Sequence, residues 1–237
     1  HSLKVAEVME MSLHTGSPFV FINDSGGARV QEGIDSLSGY GKVFFTNVSL
    51  SGAVPQVSVI SGPCAGGAAY SPALTDFIIM TRKAQMFITG PQVIKQVTGE
   101  QITAEALGGA DAHMANSGVV HFVAEDDKEA LHTCRRLLSF LPSNNLEDPP
   151  RIDCPNDVDA NPALNSIVPV EPKQAYDVRR VIAEIVDQGD FLEVQAGYAM
   201  NLVVGFARIL GRSVGIVANQ PQVMSGALDI NASDKGA

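Results

Sequence analysis

The run Ile60-Ser61-Gly62-Pro63-Cys64-Ala65-Gly66-Gly67-Ala68-Ala69-Tyr70-Ser71-Pro72-Ala73-Leu74 constrains this chain more than any other stretch. A β-branched segment (Val57, Val59, Ile60) reads as a strand entering a glycine-rich turn, where an alanine-rich helix begins. That order aims free backbone N–H groups and the positive end of a helix dipole at one point. Such a point holds a developing negative oxygen, on a phosphate or on an enolate. A second turn of the same kind comes earlier: Phe19-Val20-Phe21-Ile22 reads as a buried strand and ends in Asn23-Asp24-Ser25-Gly26-Gly27-Ala28-Arg29. Two strand–Gly-Gly–helix turns imply neighbouring parallel strands with their loops at one sheet end, where open α/β sheets bind ligands.

The anion is narrowed by elimination. Gly62 to Gly67 has the glycine spacing of G-x-x-x-x-G-K-[ST], but Ala68-Ala69 replaces Lys and Ser/Thr, which argues against nucleotide hydrolysis. Neither turn carries G-x-G-x-x-G, and no G-x-S-x-G nucleophile elbow is present. What remains is an oxyanion hole without an obvious nucleophile. The same glycines equally serve tight turns and close helix–sheet packing, and the local pattern leaves both readings open.

The 237 residues accommodate one large domain or two smaller ones, and 45% hydrophobic with 18% charged residues allows a substantial core. A net charge of −10 without a basic stripe argues against nucleic acid and anionic membranes as partners. No apolar run approaches the ~18–20 residues of a membrane span. Cys64, Cys134 and Cys154 are too far apart for a zinc pattern, so no metal is predicted. They read as reduced thiols of a reducing compartment: the cytoplasm, or the mitochondrial matrix in a eukaryote. Cys64 lies inside the main turn, where a packing role is expected over a reactive one. The start at His1 and the end at Asp234-Lys235-Gly236-Ala237 read as cuts from something longer.

Along the chain, residues 2–15 read as a helix stopped by Gly16 and Pro18. The strand at 19–22 follows, then a helix through Tyr40-Gly41-Lys42-Val43-Phe44-Phe45, then the strand at 56–60 with the main turn and its helix. Short strands are expected at Phe77-Ile78-Ile79-Met80, Met86-Phe87-Ile88 and His121-Phe122-Val123. Helices are expected from Pro91, from Thr103 to Gly108-Gly109, and from Asp126 to Phe140, the last with Ala130, Leu131, Leu137, Leu138 and Leu141 on its apolar side. Strand, crossover helix and strand in this order imply right-handed βαβ units. Proline, Asn and Asp crowd the stretch up to Pro172, which reads as a surface linker. A second unit follows: a helix carrying Val178, Val181, Ile182 and Ile185, then strands at 191–194, 202–209 and 214–218 with a hairpin turn at Gly211-Arg212. The domain expectation is therefore 1–141, a linker at 142–172, and 173–237.

Arg29, beside the first glycine turn, is read as a carboxylate- or phosphate-binding group, against an ion pair with Asp24 or Glu32. Asp24 is expected to cap a helix rather than to act as an acid/base partner of Glu32. His113 and His121 have no metal spacing and read as surface or packing residues. Glu125-Asp126-Asp127 reads as a helix-start charge cluster.

The segment from Asn23 through Arg29 to Val30-Gln31-Glu32-Gly33 resembles the carboxyltransferase subunit of biotin-dependent acyl-CoA carboxylases. The same holds for Gly62 to Ala68 with Tyr70-Ser71-Pro72-Ala73-Leu74-Thr75-Asp76, for Ile88-Thr89-Gly90-Pro91, and for Glu105-Ala106-Leu107-Gly108-Gly109-Ala110. It holds again for Gly215-Ile216-Val217-Ala218-Asn219-Gln220-Pro221 and for Leu228-Asp229-Ile230-Asn231-Ala232-Ser233-Asp234-Lys235. The motifs run in order over essentially the whole chain, and the methylmalonyl-CoA/propionyl-CoA group of the family is the most similar.

This resemblance implies an α/β fold of the crotonase-like (ClpP/crotonase) ββα-superhelix type, in two related copies, both incomplete here. The first copy (1–141, lacking its first strands) would recognise the acyl-CoA. The second (173–237) would begin the part that takes biotin from a carrier protein in a ring-shaped homohexamer. The resemblance places the oxyanion hole serving biotin, and the position associated with acyl-chain choice, beyond Ala237. It implies carboxyl transfer between biotin on a carrier domain and propionyl-CoA or methylmalonyl-CoA, with biotin supplying the base. The enolate oxygen would sit on the N–H groups of Gly67 and Ala68, with Gly66 in the same turn. Gly26, Gly27, Ala28, Arg29 and Tyr70 would line the substrate. Two rivals stay open: a non-catalytic CoA-binding or assembly fragment, and a crotonase-type hydratase or isomerase. The latter needs carboxylates over the enolate, and neither glycine turn is followed by a well-placed Glu.

Overall fold

The computed structural model describes residues 1–154, 161–171 and 173–237. Contacts divide the chain into two compact units, His1–Leu138 with Pro142–Asp148, and Ser139–Leu141 with Pro149–Ala237.

The first unit opens with α1 (Ser2–Thr15), closed by Gly16 in the left-handed conformation with φ 70°. Then come β1 (Phe19–Ser25), α2 (Gly33–Leu50), β2 (Gln56–Ala65), α3 (Gly67–Ala73), β3 (Phe77–Thr81), β4 (Gln85–Phe87) and α4 (Pro91–Thr98). The unit continues through α5 (Ala104–Gly108), α6 (Ala110–Ala112), β5 (Phe122–Ala124) and α7 (Asp127–Leu138). All strand pairs of its sheet are parallel, in the order β1-β2-β3-β5, with β4 beside the end of β2. A parallel sheet needs both faces covered, and the first five residues of β2 are all buried. One buried cluster joins Met9, Phe19, Val43, Leu50 and Val54. A second cluster joins Ile60, Cys64, Ala68, Ala69, Ile78, Met80, Met86 and Val120. The expected neighbouring strands with loops at one sheet end are found: β1 pairs β2 in register from Phe19↔Gln56 to Asn23↔Ile60.

Several local expectations are corrected. The strand expected at 56–60 runs on to Ala65, because Pro63, Cys64 and Ala65 pair with Gln85, Met86 and Phe87 of β4. Gly62 is thus a strand residue, and the Asp24 carboxylate occupies the space its Cβ would need. Asp24 itself lies in β1 and caps no helix. Leu131, expected on the buried face of α7, is 43% exposed, while Cys134 fills that face instead.

In the second unit the proline-rich stretch contains one helical turn, α8 (Leu164–Ile167), with Ile167 buried. The parts of the expected linker at 155–160 and 172 lie outside the described residues. α9 (Val178–Ile185) starts at Asp177, whose side chain accepts from the Arg179 N–H. β6 (Phe191–Val194), β7 (Leu202–Ile209) and β8 (Arg212–Asn219) form an antiparallel sheet. The hairpin turn is Leu210-Gly211, one residue earlier than expected: Ile209 pairs Arg212, and both turn residues have positive φ (52° and 77°). α10 (Ile230–Gly236) carries Lys235, whose Nζ donates to the carbonyls of Gln195 and Tyr198; burial lowers its pKa to about 8.

Candidate functional site

The site grows from the end of β2. Gly66 N–H is tied to the Phe87 carbonyl at 3.1 Å. Gly66 takes φ 58°, ψ −127°, a turn open to glycine and not to L side chains. Its carbonyl then accepts the N–H groups of Ala69 at 3.0 Å and Tyr70 at 3.2 Å. The two N–H groups in between, of Gly67 and Ala68, begin α3 and have no helical carbonyl one turn back to donate to.

Gly67 has no side chain because Tyr40 of α2 stands there; a Cβ at 67 would lie 2.9 Å from two Tyr40 ring carbons. The first glycine turn closes on the same place. Gly27 takes φ 96°, and a Cβ there would lie 2.5 Å from the Ala65 carbonyl oxygen. Gly26, by contrast, has nothing within 4 Å of a Cβ.

Gly27, Ala28, Arg29 and Ala68 line one pocket of about 310 Å³. Of the other predicted residues, Gly26, Gly66, Gly67 and Tyr70 do not line it. Gly66 and Gly67 form the turn behind Ala68, and Tyr70 is half exposed, its ring 4.8 Å from that of Phe44. Tyr40, Asn23, Ser25 and Ser71 line the pocket, and none of them was named as a site residue from the sequence. Tyr40 carried no local signal beyond being an aromatic inside a helix, since its contact with Gly67 joins two elements. Glu32, weighed in the sequence as an acid/base partner of Asp24, and Asp35 also line the pocket, although no well-placed Glu was expected after either glycine turn.

Arg29 does not begin a long helix. It precedes a single 3-10 turn, Val30–Glu32, and its Nη1 donates to Glu32 Oε1 at 3.1 Å on an exposed surface. Cys64 is fully buried and its thiol donates to the Ala68 carbonyl at 2.9 Å. Burial, with the Asp24 charge second, pushes its pKa up to about 12, which leaves it without thiolate character. His113 bridges Ser117 Oγ and the Met86 carbonyl. His121 accepts the Ile78 N–H through Nδ1 at 3.0 Å, and burial lowers its pKa to about 4. Both histidines are packing residues. Among the described residues no cluster of three His, Cys, Asp or Glu side chains can hold a metal ion, and no helix is long and apolar enough to cross a membrane.

A parallel α/β sheet whose second strand ends in a glycine turn and a helix start, with Ala68 of that helix sharing a pocket wall with Gly27 and Ala28, is the layout of the crotonase-like class. The chain belongs to the carboxyl transferase domain family, which matches residues 1–237. It is 69% identical over 236 residues to the methylmalonyl-CoA carboxyltransferase 12S subunit of Propionibacterium freudenreichii subsp. shermanii, covering 100% of this chain and 45% of that protein. It is 56% identical over 239 residues to methylmalonyl-CoA decarboxylase subunit alpha of Veillonella parvula, covering 100% and 47%. A crystal structure of transcarboxylase 12S, a hexamer assembly with hydrolysed methylmalonyl-coenzyme A bound, superposes with a TM-score of 0.97 at 69% identity. That superposition covers 99% of this chain and 46% of the other. The chain thus spans about half the length of the curated relatives it matches. The crotonase-like fold expected from the resemblance is the fold of these neighbours.

Proposed function

We propose that this chain is the acyl-CoA portion of a biotin-dependent carboxyltransferase acting on propionyl-CoA and methylmalonyl-CoA. The observation that carries the reading is the Gly67–Ala68 N–H pair at the start of α3, beside the Gly27–Ala28 wall of the pocket. An enolate oxygen on these donors is stabilised where its charge develops, and one such donor contributes about 3–4 kcal/mol of barrier lowering. Biotin on its carrier supplies the carboxyl group and the base when bound. The residues of this chain hold the thioester, polarise its carbonyl and, through Arg29, attract the carboxylate of the carboxylated acyl group. The names of the relatives, methylmalonyl-CoA carboxyltransferase and methylmalonyl-CoA decarboxylase, support the acyl choice. In this reading 1–141 is the acyl-CoA domain, 142–172 a linker, and 173–237 the start of the biotin domain. The full protein acts in the cytoplasm, or the mitochondrial matrix in a eukaryote, as a homohexamer with a biotin carboxyl carrier protein.

A hydratase-like reading rests on Glu32 and Asp35 at the pocket wall. The deciding experiment uses the full-length parent of this chain with carboxyl-labelled methylmalonyl-CoA and free biotin. Label on biotin with release of propionyl-CoA supports carboxyl transfer. Transfer from malonyl-CoA alone moves the substrate and keeps the class. Absence of transfer with hydration of an enoyl-CoA overturns the class.

A further inference from the structure

Three buried polar side chains meet under the oxyanion helix. Ser71 of α3, Asn47 of α2 and Gln56, the first residue of β2, are 2%, 1% and 0% exposed. Ser71 Oγ donates to Asn47 Oδ1 at 2.8 Å, Asn47 Nδ2 donates to Gln56 Oε1 at 2.9 Å, and Gln56 Nε2 donates back to the Asn47 carbonyl at 3.0 Å. The foot of β2 is clamped in turn. Gln56 N–H donates to Asp76 Oδ2 at 2.7 Å, and Asp76 N–H donates to the Gln56 carbonyl at 3.0 Å.

Ser71 stands three residues after Ala68, on the same side of α3, and both line the pocket. The helix is seven residues, about 10 Å long. Ala68 and Ala69 carry it into the core cluster, Tyr40 lies against Gly67 and Tyr70 packs on Phe44, contacts that hold its first turn and outer side. Apolar burial is non-directional, so it resists lifting of the helix but hardly resists its rotation. Hydrogen bonds with fixed donor and acceptor directions resist rotation. The rotation of α3 decides where the Gly67 and Ala68 N–H groups point.

We propose that Ser71, Asn47 and Gln56 are positioning residues of the carboxyl-transfer site, setting the rotation of α3 and so the aim of its two N–H donors. The inference rests on the carboxyltransferase reading above. A purely structural network would cost stability when cut and leave turnover per folded molecule intact. A positioning network costs turnover even where stability is kept.

The test uses the full-length parent with two variants, S71A and the apolar triple S71A/N47L/Q56L. In the triple the partners leave together, and the Asn47 carbonyl keeps the Ser51 N–H at 3.1 Å, so the fold retains its satisfied groups. Transfer to free biotin and thermal melting are measured side by side. The expected result is a kcat lowered by about 10- to 100-fold in both variants, with KM for the acyl-CoA little changed and the triple melting near the wild type. Ser71→Thr, which keeps the hydroxyl, is expected to recover much of the lost kcat. A triple that turns over like the wild type overturns the inference. So does an S71A protein whose loss of activity only tracks its loss of folded molecules. An inactive wild-type parent defeats the carboxyltransferase reading and this inference with it; an active parent with unaffected variants defeats this inference alone.

Discussion

The Tyr40 ring lies against Gly67 so closely that a Cβ on residue 67 would come within 2.9 Å of two ring carbons. The first turn of α3 and the middle of α2 are therefore shaped to each other, and the Gly67 N–H is held by a neighbour 27 residues earlier in the chain. Gly67→Ala is expected to destabilise the protein by about 1–3 kcal/mol through overpacking. The cost should shrink in a Tyr40→Ala background, and a double-mutant cycle of denaturant midpoints checks it. Strict additivity would mean that the two residues do not press on each other. Gly67→Pro brings the same Cβ against Tyr40 and also removes one donor, so its turnover per folded molecule should fall about 10²–10³ below that of Gly67→Ala; equal turnover of the two variants would remove the Gly67 N–H from the chemistry.

Gly26 and Gly27 are adjacent and alike in sequence, yet the structure separates them. Gly27 combines φ 96° with a close approach to the Ala65 carbonyl, and Gly26 has open space. Gly27→Ala should cost roughly 1–3 kcal/mol. Gly26→Ala should stay within about 0.5 kcal/mol of wild type. Urea midpoints of the two variants decide it, and equal losses would contradict the geometry.

Arg29 pairs with Glu32 with both side chains more than half exposed, at 73% and 54%. Such a pair contributes little to stability, so Arg29→Ala should melt close to wild type. The same change should weaken binding of methylmalonyl-CoA more than of propionyl-CoA. Equal weakening of both, read by calorimetry, would remove Arg29 from carboxylate recognition.

His121 gives the stability a definite pH dependence. Its folded pKa, about 4, lies below the ordinary 6.5 because burial opposes the charged ring, which here accepts the Ile78 N–H. Above pH 6.5 the ring is neutral in both folded and unfolded chains, and its contribution is fully present. As pH falls from 6.5 towards 4 the unfolded chain takes the proton first, and up to about 3 kcal/mol is lost. Below that window this group adds no further change. In denaturant titrations from pH 7 to pH 4, His121→Asn should flatten this part of the profile. An unchanged slope would assign the loss to other groups.

Much of the framework was legible because it is local. The apolar runs before Gly26 and Gly66, the stop at Gly16, and the cap at Thr103 each act through residues within a turn of themselves, and the elements stand where those signals put them. The misreadings arose where a distant segment decides. Gly62 reads as a turn glycine, but the pairing of Pro63–Ala65 with β4 keeps it in a strand. Asp24 reads as a cap, but β1 pairing extends past it to Ser25. Leu131 reads as buried on helical period alone, yet it is Cys134 and Leu137 that are buried on α7.

The sequence by itself determined the family, through motifs that run in order along the whole chain, while its two strand–Gly-Gly turns were equally compatible with backbone donors and with tight packing. Backbone donors at a helix start require only glycine, a small neighbour and the strand before them, all contiguous. Only the tertiary structure decided which residues share the pocket. Parallel pairing of β1 with β2 brings Gly27 onto Ala65, and the packing of α2 brings Tyr40 onto Gly67 and Asn47 onto Ser71. Those contacts join residues far apart in the chain, where close packing and hydrogen-bond direction, rather than any local pattern, choose the partner.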